Sequence, residues 1–370
     1  MTTNDDPALA RLADRVRAAQ AAGTALQLIG HGSKAFYGGA PQGEPLELTG
    51  LAGLSSYEPT ELVVTARAGT PVVELEAALA ERGQCLAFEP PRFGGRGTVG
   101  GMVASGLSGP SRAAVGALRD YVLGATMMNG RGEVLSFGGQ VMKNVAGYDV
   151  ARLLAGSMGV LGVILEVSLK VLPKPPAVAT LRFELGEATA LARLNGWGGQ
   201  PLPIHASAWW AGMLVVRLAG ARAAVDAALA KLGGERVDDA MSTPFWTGLR
   251  DHRDEFFTKA RAAVEAGSGV SLWRLSLPQT AKPVTLPGEQ MVEWGGGQRW
   301  WCTPAPAATV RELATKAGGH ATLFYGGAAH KAAVGAFAPL DAPLARIHRE
   351  LKREFDPHSL FNRGRLYSDL

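Results

Sequence analysis

Apolar positions in the first half of the chain follow two periods. After Asp6-Pro7, a start signal with proline at the first helical position, Leu9, Leu12 and Val16 recur at spacings of three and four. They predict a helix that Gly23 stops. Apolar runs at 24–29, 61–67 and 84–88 predict strands. Thr70-Pro71 opens a helix running over 71–82. Beyond a glycine-rich break, YVLGATMMN and GEVLSF predict a hairpin around Asn129-Gly130, a strong turn pair. Asp149 to Ala155 then predicts a short helix ended by Gly156. GVILEVSLKVL predicts a long strand that terminates at Pro173-Lys174-Pro175-Pro176, the clearest domain boundary in the chain.

The pattern changes after that proline cluster. Strands are expected at 178–185, 204–210, 212–218, 269–276, 289–294 and 320–325, with helices at 187–195, 221–232, 245–263 and 304–317. Adjacent strand pairs with helices between them predict an α+β layer with an antiparallel sheet. All eight tryptophans fall within 197–301, which reads either as core packing or as a subunit interface. The tail is an amphipathic helix followed by an irregular stretch ending in Asn362-Arg363-Gly364-Arg365.

Composition narrows the class. With 370 residues, 47% of them apolar and 19% charged, the chain is globular and forms two domains or one large one. A net charge of +4 without any Lys/Arg block argues against a nucleic-acid binder. Two cysteines, Cys85 and Cys302, fit a reducing compartment and are too few for an iron–sulfur cluster. The N-terminus lacks the pattern of a signal peptide, and no apolar run is long enough to span a bilayer. The expectation is a cytoplasmic protein that meets a membrane only through partner subunits.

Two stretches carry candidate chemistry. In GHGSK (30–34), Gly30 and Gly32 permit positive φ and expose consecutive N–H groups, while Ser33 and Lys34 add a hydroxyl and a charge. It reads as an anion nest or as a glycine turn closing a strand, and it lacks the spacing of a Walker loop or of GxGxxG. Residues 90–109 hold seven glycines, and Thr98 is a good N-cap for a short helix whose start suits a phosphate. The histidines of the second half (His205, His252, His320, His330, His348, His358) form no His-x-His pair. His252 and Glu255 share a predicted helix face and read as a solvated surface pair.

Taken together in one order, VVTARAGTP, GTVGG, DYVLG, the NGRGEV hairpin, KNVAGYD and GSMGVLGVI resemble the FAD-binding domain of the vanillyl-alcohol oxidase superfamily over about residues 24–175. The resemblance implies a PCMH-type FAD-binding domain of two α+β subdomains (1–175), a smaller α+β domain (176–335), and a tail (336–370) returning to the FAD domain. LFNRGRLY is similar to the family's C-terminal Asn-Pro-Gly-Arg element, with Arg363 in place of proline. EWGGGQRWW (293–301) and the short length make the chain most similar to the FAD-binding subunits of bacterial glycolate oxidases.

By that resemblance, Gly30, His31, Gly32, Ser33 and Lys34 form the pyrophosphate loop. Thr98, Gly100 and Gly101 let backbone approach the flavin, Ser105 contacts the cofactor, and Gly162, Val163 and Ile164 meet the adenine end. Covalent relatives carry a histidine where this chain has Ser33, so FAD is expected to be held without a covalent bond. Lys143, Asn144, Tyr148 and Asp149 belong to a segment with a cofactor, partner or structural role. Larger catalytic relatives bring metal-binding histidines and a glutamate that are missing here, so no metal site is expected. His330 is the candidate base, with Arg365, Arg299 and Arg112 as candidate anion clamps.

Three readings follow. The favoured one is an FAD subunit passing electrons from glycolate oxidation between a catalytic flavoprotein subunit and an iron–sulfur subunit. The others are a self-sufficient FAD-dependent dehydrogenase of another hydroxy acid or alcohol, and a scaffold with a vestigial flavin site.

Overall fold

The computed structural model describes residues 6–95, 97–139 and 149–370; Lys143, Asn144 and Tyr148 lie outside them. The first helix spans Pro7–Ala22. The Asp6 carboxylate caps it by accepting from the Ala8 amide at 2.8 Å, and Gly23 ends it at φ 67°. Its apolar stripe, Leu9, Leu12 and Val16, packs on Leu26, Val163, Leu360 and Phe361, so the two ends of the chain share one core.

Five strands form an antiparallel sheet in the order Leu54–Glu58, Val63–Arg67, Val163–Lys170, Val122–Met128 and Val134–Gly138. Helices Val72–Glu81 and Val99–Ser105 lay Leu75, Leu79, Val99 and Val103 on one of its faces, against Val64, Val167 and Leu169. Beside it, Leu26–Ile29 pairs in parallel with Glu44–Glu47.

Residues 177–325 build a second, eight-stranded antiparallel sheet. Its order is Glu235–Val237, Ala177–Glu184, Met213–Gly220, Ile204–Trp210, Glu289–Glu293, Gln298–Thr303, Ser271–Ser276 and His320–Tyr325. The fold is α+β. Trp246, Trp273, Trp294, Trp300 and Trp301 are buried, which makes core packing their main role.

Two expectations are corrected here. The helix expected over 245–263 is two helices, Asp239–Arg250 and Glu255–Glu265, because Asp254 caps the second by accepting from the Phe257 amide at 3.2 Å. His252 lies in the break at φ 52° and is buried, its ring stacked 3.8 Å from that of Phe257. It does not form the solvated pair expected with Glu255. Strand Gln298–Thr303, inside the WGGGQRWW run, was not anticipated.

The last helix, Ala342–Phe355, leads into a tail that runs along the first strand. Leu26 donates its amide to Leu360 O at 2.7 Å, and Asn362 donates to Leu26 O at 2.9 Å. No helix among the described residues is long and apolar enough to cross a membrane.

Candidate functional site

The strand Leu26–Ile29 empties directly into GHGSK, and this junction forms one wall of a cleft of about 120 Å³. Gly30, His31, Gly32, Ser33 and Lys34 line it, facing Thr98, Gly101, Ser105 and Arg365. A smaller hollow of about 70 Å³ continues from the cleft, sharing Gly30, Thr98, Gly101 and Asn362, and adds Gly100, Gly162 and Ile164. The structure thus brings together all but one of the residues expected at the cofactor. The exception is Val163, which is fully buried in the core around the first helix; alternation along its strand turns it away while Ile164 faces the hollow.

The wall has the features an anion needs. The backbone N–H groups of His31, Gly32, Ser33 and Lys34 have no backbone acceptor among the described residues. Gly32 sits at φ 70°, which a branched residue resists. Successive unpaired amides in such a turn make an anion-binding concavity. Lys34 adds a cation, its Nζ 3.5 Å from Ser33 Oγ and 5.7 Å from the centre of the Phe93 ring. Burial pulls the Lys34 ammonium down to about 8, against the opposing attraction of Asp251. A bound anion would reverse that loss.

Opposite, Thr98 caps the helix Val99–Ser105 by accepting from the Gly101 amide at 3.2 Å. Gly100 is set by packing: a Cβ there would lie 2.8 Å from the Ala68 Cβ and 3.1 Å from its carbonyl oxygen. At Gly101 an added Cβ would meet only Thr98 Oγ1, at 3.2 Å, so the space beside it is open to a ligand. Gly162 is required by the sheet, since a Cβ would fall 2.6 Å from Met128 O. Ser105 Oγ donates to Met102 O at 3.0 Å within its own helix. These features fit FAD: free amides for a diphosphate, and open glycine backbone beside them for the rest of the molecule.

Of the residues proposed for chemistry, His330 lies outside this cleft, with Nδ1 3.0 Å from Ser271 Oγ. Arg365 lines the cleft, but its guanidinium donates to Tyr37 O at 2.6 Å, Ala35 O at 3.0 Å and Gly39 O, bracing the loop rather than reaching outward. Arg299 is fully buried and donates to Ala281 O and Lys282 O. Arg112 stacks over Trp294. Among the described residues, no group of three or more His, Cys, Asp or Glu is arranged to hold a metal ion.

Sequence reasoning missed a histidine–cation pair in a separate groove. There, Arg217 lies 3.2 Å from His205 Nδ1 and 2.7 Å from Glu89. Burial and the neighbouring guanidinium push His205 down to about 4. Asn362 also belongs to the cleft, accepting from the Leu28 amide at 2.8 Å and donating to Met158 O at 2.7 Å.

The chain is similar to several known proteins. Residues 9–138 match the FAD binding domain family. Glycolate oxidase subunit GlcE of Escherichia coli (strain K12) is 45% identical over 97% of this chain and 97% of its own length. D-lactate dehydrogenase of Anaerostipes hadrus is 33% identical over 38% of this chain and 29% of its own. Glycolate oxidase subunit GlcD of Bacillus subtilis (strain 168) is 34% identical over 32% and 25% respectively. A solved structure of alkyldihydroxyacetonephosphate synthase shares the fold with a TM-score of 0.61 at 15% identity, over 95% of this chain and 73% of that one. Fold, cleft and relatives define an FAD-linked oxidoreductase. Within that class, the chain belongs to the family of glycolate oxidase subunit GlcE.

Proposed function

We propose that this chain is the FAD-carrying subunit of a glycolate oxidase complex. It passes electrons from the oxidation of glycolate, a 2-hydroxy acid, to glyoxylate toward an iron–sulfur subunit, beside a catalytic flavoprotein subunit. The observation that carries this reading is the 45% identity to the GlcE subunit across 97% of the chain. An FAD-binding fold alone would account only for the partial matches to other hydroxy-acid dehydrogenases. Identity extending through the second half selects among them.

FAD, when bound, supplies a two-electron acceptor. The chain's own part is to hold it: the amides of residues 31–34 and Lys34 take the diphosphate, and Gly101 admits the rest. Because Ser33 stands where covalent relatives carry histidine, FAD is held non-covalently. Cys85 and Cys302 are both free thiols and too few for a cluster, so electrons leave through another protein. His330 is hydrogen-bonded to Ser271 away from the cleft, which supports assigning removal of the glycolate hydroxyl proton to the catalytic partner. Residues 1–175 act as the FAD-binding domain, 176–335 as the second domain and 336–370 as the returning tail. The chain is cytoplasmic and meets a membrane only through its partners.

The test is reconstitution. The purified chain, loaded with FAD, is expected to show no glycolate-dependent dye reduction until a second flavoprotein subunit and an iron–sulfur subunit are added. Steady turnover by the chain alone, with no other subunit detected by mass spectrometry, would sink the proposal in favour of a self-sufficient dehydrogenase. A chain purified without FAD and unable to take it up would point instead to a vestigial site.

A further inference from the structure

The segment following the diphosphate loop is held by three cations from three separate parts of the chain. From the tail, Arg365 donates to the carbonyl oxygens of Ala35, Tyr37 and Gly39. From the helix Ala328–Val334, Lys331 donates to Phe36 O and, at 2.9 Å, to Phe324 O. From the strand Ser271–Ser276, Arg274 donates to the Tyr37 hydroxyl at 3.1 Å. Phe36 and Tyr37 themselves insert among second-half rings, Phe36 5.5 Å from Tyr325 and Tyr37 5.1 Å from Phe324.

Two further facts give this clamp a purpose beyond packing. Lys331 and Arg365 are 8% and 7% exposed, and none of the three cations has a carboxylate within 4.0 Å among the described residues. Buried charge without a counter-charge is costly. Burial and the nearby Arg365 pull the Lys331 ammonium down to about 8. Free anion-binding groups, the amides of residues 31–34, lie on the same loop, and Arg365 itself lines that cleft.

We propose that Lys331, Arg274 and Arg365 form a clamp that positions the 31–39 loop for the FAD diphosphate, so that cofactor affinity depends on docking of the second half of the chain. The three are positioning residues: they act through the loop backbone, and a diphosphate in the cleft supplies the negative charge their neighbourhood lacks. By linkage, FAD then tightens the contact between the two halves to the same degree. The inference rests on FAD occupying this cleft.

The probes are FAD, ADP as a diphosphate without flavin, and riboflavin as flavin without phosphate, each titrated into the apo chain by intrinsic fluorescence. Lys331→Met keeps the side-chain length and removes the donor. It should weaken FAD and ADP alike by about tenfold or more, while riboflavin changes less than about twofold. Lys331→Arg should restore most of the loss. The near-UV circular dichroism of the apo variant should match that of the parent, separating positioning from misfolding. Equal FAD affinity in the parent and in a folded Lys331→Met chain would overturn the clamp. If that variant fails to fold, Tyr37→Phe removes the acceptor of Arg274 without touching any backbone contact. Unchanged FAD binding there would overturn the clamp as well. A parent chain that binds ADP but not FAD would instead overturn the cleft assignment on which the clamp rests.

Discussion

The ammonium of Lys352 lies 2.7 Å from Asp356 Oδ2 at the end of the last helix, and both side chains are buried. Lys352 also donates to Val160 O at 2.7 Å and Phe361 O at 3.0 Å. Asp356 accepts from the amides of Leu360 and Phe361. The pair fastens the tail to Val160, six residues before Asn362 joins Leu28 to Met158. Removing one partner strands the other charge. Lys352→Met is therefore expected to cost about 3–5 kcal/mol of unfolding free energy. Urea titration checks this, and a loss under about 1 kcal/mol would mean that the pair is solvated in solution.

What the sequence made legible were the features written locally. Thr98 before a glycine run, Asp6-Pro7 before an apolar stripe and Asn129-Gly130 between strands each carry their physics within a few residues. The diphosphate loop was half legible: its glycines admitted a turn or a nest, and only the unpaired amides of residues 31–34 favour the nest. The bracing roles of Lys331 and Arg365 were out of reach, because acceptors of theirs lie 295 and 330 residues away in sequence. Of the arginines read as candidate anion clamps, Arg299 and Arg365 donate to carbonyl groups, while Arg112 stacks over Trp294. His252 was misread for a related reason. Helical periodicity ran on past Asp254, whose capping carboxylate starts a new helix and turns His252 into the aromatic core.

Two glycines of the cleft should separate binding from folding. Gly32 has no atom within 4 Å of an added Cβ, but its φ of 70° strains a β-branched residue, and it lines the cleft with its amide free of any backbone acceptor. Gly32→Val should fold and purify without flavin colour. Gly100 is pressed on Ala68, so Gly100→Val should lower the yield of folded chain itself, before cofactor is considered. Retention of FAD by Gly32→Val, read from the visible absorption spectrum, would contradict the diphosphate assignment.

The mode of attachment can be read from a single precipitation. Ser33 has no ring nitrogen to bond the flavin, and His31, two residues earlier, is exposed at the rim of the cleft. Acid precipitation should leave all flavin in the supernatant, with a chromatographic mobility matching free FAD. Colour retained in the pellet, with a flavin-bearing peptide located by mass spectrometry at His31, would reverse this expectation.

The pH dependence of stability should carry the signature of Glu293. Its carboxyl is buried in the second sheet, where it accepts from Trp300 Nε1 at 2.5 Å and Gln298 Nε2 at 3.0 Å. Burial raises it to about 7, outweighing those two hydrogen bonds, and the nearby Asp254 and Glu89 carboxylates push the same way. A folded-state value above the unfolded one means that the native state holds the extra proton. The contribution is fully present below about 4.5, falls as pH rises toward 7, and is gone above it. His252, pushed down to about 3 by burial, works in the opposite sense: its contribution is present above about 6.5 and fades as pH falls toward 3. The two partly cancel in the parent chain, so the informative quantity is the difference from Glu293→Gln, which does not titrate. That difference should change by on the order of 3 kcal/mol between pH 4.5 and 8, with the variant gaining relative to the parent as pH rises. Chemical denaturation across that range measures it. A flat difference curve would mean that Glu293 takes up its proton equally in the folded and unfolded chains.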